Sequence, residues 1–432
     1  MSEDQFDNPA VLHPSQSEGG HAGGGSPRAA LRFLAANVSY WMVAGAYSPF
    51  LSSYFTSIGL SATQIGTLLI IQPVAVIAIQ PLWARLSDRT GKRKAVLALL
   101  SALSALTVWA YYAGTGYSVA LIATIAFASF FSALLPLCDA LVIEGCSERG
   151  IEFARIRMGG TLGYAFVVFV IGMYLEGHPE VQFVIVSLLC IAFLGAIVLL
   201  PAKPGAPRSQ DRGAEVSCAS ATCSDRQRIS QRPVRPIFGV FRTREVIYVL
   251  LFALVSQIGL GFAGSFLGRY VVELGYGQGL VGTLSMISAL SELPILLFAD
   301  AIVRRFGEVK LLIASCFFMV VRVVLIGLGV IPSMVAGQLM QSITYMTVYY
   351  SCTQYVSKEA LSGHQSQAQG ILVMVQSGVA MLVANLAGGV IGDAFGMRAA
   401  FFLIAGLVLA GTLVVFCAYR MSGVDRQSMA TG

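Results

Sequence analysis

The chain has 432 residues, 56% of them hydrophobic and only 12% charged, with a formal net charge of +6. A water-soluble domain carries roughly 25% charged residues, so this composition excludes an ordinary soluble enzyme and makes lipid the natural solvent. The basic balance is a topology signal, as shown below, and not the footprint of a nucleic-acid binder.

Residues 1–27 contain Gly, Ser and Pro and no apolar run. They lack the apolar core of a cleavable signal peptide and read as a disordered tail. Apolar runs follow near 31–55, 62–84, 95–115, 118–143, 153–175 and 181–200. Each is close to the 20 or so residues that cross a bilayer core about 30 Å thick as helix. Pro201–Arg244 is poorly hydrophobic. Six further runs lie near 246–268, 277–301, 311–330, 333–355, 370–392 and 399–419. Lipid leaves no backbone group unpaired, so these runs form helices. A membrane barrel shows short alternating segments instead. The expected fold is an all-α membrane protein of 12 transmembrane helices. A bundle over 28–200 and a bundle over 245–420 are joined by a cytoplasmic linker, 201–244, and a tail follows over 421–432.

Of the 28 Lys and Arg, all but Arg157, Arg269, Arg322 and Arg398 fall in segments on the side of the N-terminus. The positive-inside rule places that side in the cytoplasm, so both termini are expected there. The chain is expected in the cytoplasmic (inner) membrane, crossing it many times. The eight cysteines scatter through spans and inner segments; free thiols are expected, because disulfides need an oxidising compartment. Cys218 and Cys223 share the linker without a nearby His, and no metal site or cofactor is expected. No nucleophile elbow, P-loop or zinc-helix motif occurs.

The two halves repeat. At an offset of 216 positions, Phe50, Tyr54, Gly59, Gly66, Thr67 and Ile71 meet Phe266, Tyr270, Gly275, Gly282, Thr283 and Ile287. The same offset sets Arg89, Gly91 and Lys94 on Arg305, Gly307 and Lys310. Parallel repeats of this kind form a site at the bilayer midplane and rock around it.

The segment Ala84-Arg85-Leu86-Ser87-Asp88-Arg89-Thr90-Gly91-Lys92-Arg93-Lys94 resembles the loop signature of the major facilitator superfamily. That resemblance implies that Asp88, Arg89, Gly91, Lys92, Arg93 and Lys94 form a cytoplasmic gate, with Asp88 paired to basic residues or to a facing helix N-terminus. Gly45–Phe50, Gln80–Trp83 and Glu152–Met158 with Tyr164 are similar to the lactose–proton symporter. Glu292-Leu293-Pro294 adds similarity to the phenylpropionate permease and nucleoside–proton symporter group.

Charges in the bilayer core are costly and mark function. Asp139, Arg157, Glu292 and Arg322 are the deepest here. Asp139 and Arg157 are equally far from the turn at Glu148, and Glu292 and Arg322 equally far from Gly307, so each acid shares a level with one arginine. The resemblance assigns Asp139 and Arg157 to substrate contact, with Tyr164 two turns along as an aromatic platform; Tyr47 of the first span is a further substrate-binding candidate. A structural ion pair remains the alternative reading. All four histidines lie outside the spans, so a carboxylate must bind any driving proton. Glu292, facing Arg322, is the candidate, and a static pair is the alternative.

The tenth span reads Gln341-Ser342-Ile343-Thr344-Tyr345 and lacks the imidazole and acid of the lactose symporter, which puts galactoside specificity in doubt. The fifth span has glycines but no proline, unlike antiporters. The expected function is secondary active, proton-coupled import of a small organic solute (a sugar, a nucleoside or an aromatic acid). The partners are that solute, protons and the bilayer, and the chain is expected to be a monomer. Uniport, efflux antiport and a non-transporting sensor are the alternatives.

Overall fold

The computed structural model describes residues 27–201, 237–241, 243, 245–361 and 364–422. The N-terminal tail, most of the 201–244 segment with Cys218 and Cys223, and the tail after Ser422 lie outside the described residues.

The chain is built from long helices. The first half contains α1 (Pro27–Ser57), α2 (Ala62–Thr90), α3 (Arg93–Ala113), α4 (Tyr117–Ser147), α5 (Phe153–Tyr174) and α6 (Val181–Leu199). The second contains α7 (Glu245–Glu273), α8 (Gln278–Phe306), α9 (Glu308–Gly327), α10 (331–359), α11 (Gln367–Phe395) and α12 (Met397–Met421). Among the described residues, nine of these helices are long and apolar enough to cross a membrane. The other three long helices, α1, α8 and α10, carry Asn37, Glu292 and Gln341 within them. The outer surface of the bundle presents bulky apolar side chains such as Leu106, Ile122, Phe166, Val198 and Val414, as a lipid-facing surface requires. The one β feature among the described residues is an isolated bridge between Phe241 and Ala360.

Glycines set the turns between helices. Gly59 and Gly275 end the first helix of each half at φ 82° and 83°. Gly91 and Gly307 follow the second at φ 63° and 81°. These left-handed conformations favour glycine, and both pairs obey the offset of 216. Side chains obey it too. Tyr54 Oη donates to the carbonyl of Tyr111 (3.5 Å), and Tyr270 Oη donates to the carbonyl of Gly327 (2.7 Å).

The halves meet along two equivalent seams, α2 on α11 and α5 on α8, with α1 against α7 between them. Small residues allow the approach. A methyl group on Gly66 would collide with the Asn385 carbonyl, and one on Gly282 with the Val168 carbonyl. Across the seams Ser53 Oγ donates to Gln278 Oε1 (2.8 Å) and Arg269 Nη1 donates to the Leu60 carbonyl (2.9 Å). These contacts gather at the end of the bundle that carries Leu60, Tyr174 and Gly277.

Three helices bend from regular geometry where they pass the space between the halves. α2 breaks its α-geometry at Ile70 and Ile79. α10 contains a π-turn over Ser342–Met346 and α11 another over Met374–Val379. Such π-turns concentrate at functional sites. α8 continues through Pro294 as a single helix, and α1 does the same through Pro49.

Candidate functional site: a polar cavity between the halves

A cavity of about 590 Å³ lies between the two halves, and every helix that faces it contributes a polar group. α1 supplies Trp41 and Tyr47, α2 Gln72, and α5 Arg157 and Tyr164. From the other half come Gln257 of α7, Glu292 of α8, Arg322 of α9, Gln341 and Tyr345 of α10, and Gln376 and Asn385 of α11.

The Arg157 guanidinium lies over the Trp41 ring, 3.9 Å from its centroid. Trp41 in turn meets Tyr164 edge to face at 6.3 Å. Tyr164 follows Arg157 by seven residues, two helical turns, which is why both reach one wall. Glycine spacing brings this wall close. Gly160 packs against Asn37 and Trp41, and Gly163 against Val38. Arg157 Nη1 is buried without a hydrogen-bond partner, as is Trp41 Nε1. Tyr47 lines the cavity, and its hydroxyl is hydrogen-bonded to Tyr111 at 2.9 Å.

The structure separates what equal depth suggested would pair. Asp139 accepts a hydrogen bond from Asn37 Nδ2 (3.4 Å) and makes no ion pair with Arg157. It lies behind the cavity wall, outside the lining residues. α4 is interrupted at Ser132 and Ala133, and its segment Leu134–Ser147 packs on α1 and α3 more than on α5. Arg157 nevertheless remains within electrostatic reach of both Asp139 and Glu292.

Glu292 and Arg322 both line the cavity but are held apart by α10. Gln341 Nε2 donates to Glu292 Oε1 (3.1 Å). Arg322, 3% exposed, donates from Nη1 to Thr344 Oγ1 (3.0 Å) and from Nη2 to Gln338 Oε1 (3.1 Å). Gln338, Gln341 and Thr344 recur every three residues and so share one helix face. Gln341 serves the acid, and Gln338 and Thr344 serve the base.

The 88–94 loop is engaged within its own half. Arg93 bridges Asp88 and Glu144 at 3.2 Å each. Lys94 Nζ donates to the carbonyls of Val198 and Leu200 (2.9 and 2.7 Å) and so caps the C-terminus of α6. Gly91 ends α2, and Arg89 and Lys92 are exposed. A second, smaller cavity of about 400 Å³ opens beside this loop.

Sequence reasoning missed Trp41, Gln72, Gln257, Gln338, Gln376 and Asn385 as cavity groups. The available signal was an amide in the middle of an apolar run, since burying one without a partner is costly.

Comparison with known proteins agrees with this architecture. The chain is 26% identical over 384 residues to the maltose permease of Geobacillus stearothermophilus, covering 86% of this chain and 90% of that protein. It is 26% identical over 326 residues to a probable 3-phenylpropionic acid transporter of Escherichia coli (strain K12), covering 74% and 80%. The crystal structure of the nucleoside transporter NupG superposes with a TM-score of 0.74 at 16% identity, over 90% of this chain and 98% of that one. The family model described as the MFS_1 like family matches residues 38–403, and the chain belongs to this family of major facilitator transporters.

Proposed function

We propose that the chain is a secondary active transporter that imports a small organic solute together with a proton across the cytoplasmic membrane. The observation that carries this reading is the cavity itself, whose walls come from both halves, with Arg157 on one side and Glu292 on the other. A site divided in this way is remade each time the halves rock. With α1, α8 and α10 counted, the spans number twelve, in bundles 28–200 and 245–420, with both termini cytoplasmic. The seams close the end bearing Leu60 and Gly277, while at the other end Asp88 pairs within its own half and its side chain is 65% exposed. That is an inward-facing arrangement, with the cytoplasmic gate residues undocked.

Arg157, Tyr164 and Tyr47 contact the solute in this proposal, and Asp139 steadies the wall through Asn37. A stacked guanidinium offers donors to hydroxyls or to a carboxylate, and the aromatic groups offer a flat apolar face to a sugar, base or phenyl ring. Names among the relatives favour sugars, nucleosides and aromatic acids. Glu292 carries the proton. With Gln341 as its neutral partner and Arg157 and Arg322 within electrostatic reach, its proton affinity changes when rocking moves Arg157 relative to it.

The test is uptake by proteoliposomes under an imposed proton gradient, with maltose, 3-phenylpropionate and nucleosides as solutes. The wild type should accumulate one of them uphill. Glu292→Gln should lose accumulation yet still exchange pre-loaded solute. Proton-driven accumulation by that variant would remove Glu292 from the coupling role.

A further inference from the structure

At the sealed end, a carboxylate of the second half rests on the start of a helix in the first. Asp393, near the C-terminus of α11, accepts from the backbone N–H of Ala62 at Oδ1 (2.6 Å) and of Thr63 at Oδ2 (2.8 Å). These are the first two residues of α2. The other two free N–H groups are satisfied locally, in a capping box: Gln64 N donates to Ser61 Oγ and Ser61 N donates to Gln64 Oε1. The four free donors of a helix start are thus shared between the halves, two to each.

The equivalent place across the repeat holds the equivalent group. The offset of 216 carries Ala62 to Gln278, the first residue of α8, and carries Glu176 to within one position of Asp393. Glu176 follows α5 in the first half, and a methyl group on Gly277 would collide with its carboxylate. Gly277 is the N-cap of α8 and offers no side chain to cap it. Each half therefore presents an acid to the first turn of a helix in the other, where the helix dipole favours negative charge. Arg269, held by Glu273 (2.7 Å), adds a third tie through the Leu60 carbonyl. At the opposite end Asp88 is held by Arg93 of its own half, as expected where the halves stand apart.

We infer that Asp393 and Glu176 are paired latches, each docking on a helix start of the opposite half and holding this end of the transporter shut. Both docked contacts join groups on opposite halves, so they must break when the end opens. The latches set the balance between the two open states, and they do so whichever solute the cavity takes.

The experiment reads accessibility and needs no transport. Ser265 lines the cavity, and Ser265→Cys is labelled with a charged, membrane-impermeant methanethiosulfonate applied to the face that carries Leu60 and Glu176. The same protein without that substitution supplies the background. Asp393→Asn and Glu176→Gln should each raise the labelling rate about fivefold or more, the lower range of a coupling free energy between sites, and should slow labelling from the other face. Unchanged rates from both faces in both variants, with unaltered thermal unfolding, would overturn the latches. Should Asp393→Asn not fold, Glu176→Gln decides alone: a faster rate supports the inference and an unchanged rate rejects it.

Discussion

The guanidinium of Arg157 lies flat on Trp41 at 3.9 Å, an arrangement that a compact, strongly hydrated ammonium does not reproduce. Arg157→Lys keeps the charge and loses the stack. It is expected to weaken solute binding about tenfold or more, since a desolvated cation–π contact contributes about 2 kcal/mol, and the ligand-induced thermal shift measures it. Trp41→Phe should retain more affinity than Trp41→Ala. Gln341 donates to Glu292, so Gln341→Ala leaves a largely enclosed carboxylate without its donor. A loss of roughly 1.5–3 kcal/mol is expected, read from unfolding in detergent. Combining it with Glu292→Gln should cost less than the sum of the two single changes; strict additivity would show that the two side chains do not act together. At this scale the sequence was legible in one coordinate. The positions of Asp139, Arg157, Glu292 and Arg322 along their helices follow from residue counts. Their directions around the helix do not, because the neighbour each one meets is an uncharged residue of another helix: Asn37 for Asp139 and Gln341 for Glu292.

Helices were the most legible level, because about 20 apolar residues in succession leave the chain little choice in lipid. α2 outran its apolar run and continued to Thr90, since a helix does not stop where hydrophobicity does; it stops at Gly91. The seams were legible as glycines and not as contacts. Gly66 and Gly282 correspond in the repeat, yet their partners lie in the opposite halves and are far away in sequence. Gly282→Val should force the α5–α8 seam apart at a cost of about 1–3 kcal/mol, typical of overpacking. Gly264→Val is the control, because nothing lies within 4 Å of its added methyl. Equal destabilisation of the two variants, measured as unfolding temperature, would contradict the close seam.

For the whole molecule, the repeat was legible from aligned residues, and the folded chain repeats it in turn angles, in tyrosine hydrogen bonds and in the seams. The closed end was not legible, because it depends on which of two related conformations is populated. Ser53 and Gln278 touch across the seam at 2.8 Å. A bis-methanethiosulfonate cross-link between Ser53→Cys and Gln278→Cys should therefore stop uptake completely, and a reductant should restore it. Solute binding from the open face should survive the cross-link. Uptake that persists with the cross-link formed would mean that this end does not need to open.

The π-turns of α10 and α11 have a consequence for register. A π-turn holds one more residue than the α-turn it replaces, so it acts as a shim that resets the rotation of everything beyond it. In α10 the shim at Ser342–Met346 lets Gln338 and Gln341 face the cavity while Val348, Cys352 and Tyr355 stay buried and Tyr355 Oη reaches Glu245 (2.8 Å). Closing this turn to regular α-geometry at unchanged length would rotate Thr347–Glu359 by about 100° about its axis, whereas deleting one residue from it would leave those faces nearly in place. The extra residue is absorbed within a single turn, so the winding of that one turn, and not any side chain in it, decides which faces the cavity half and the anchoring half of α10 present.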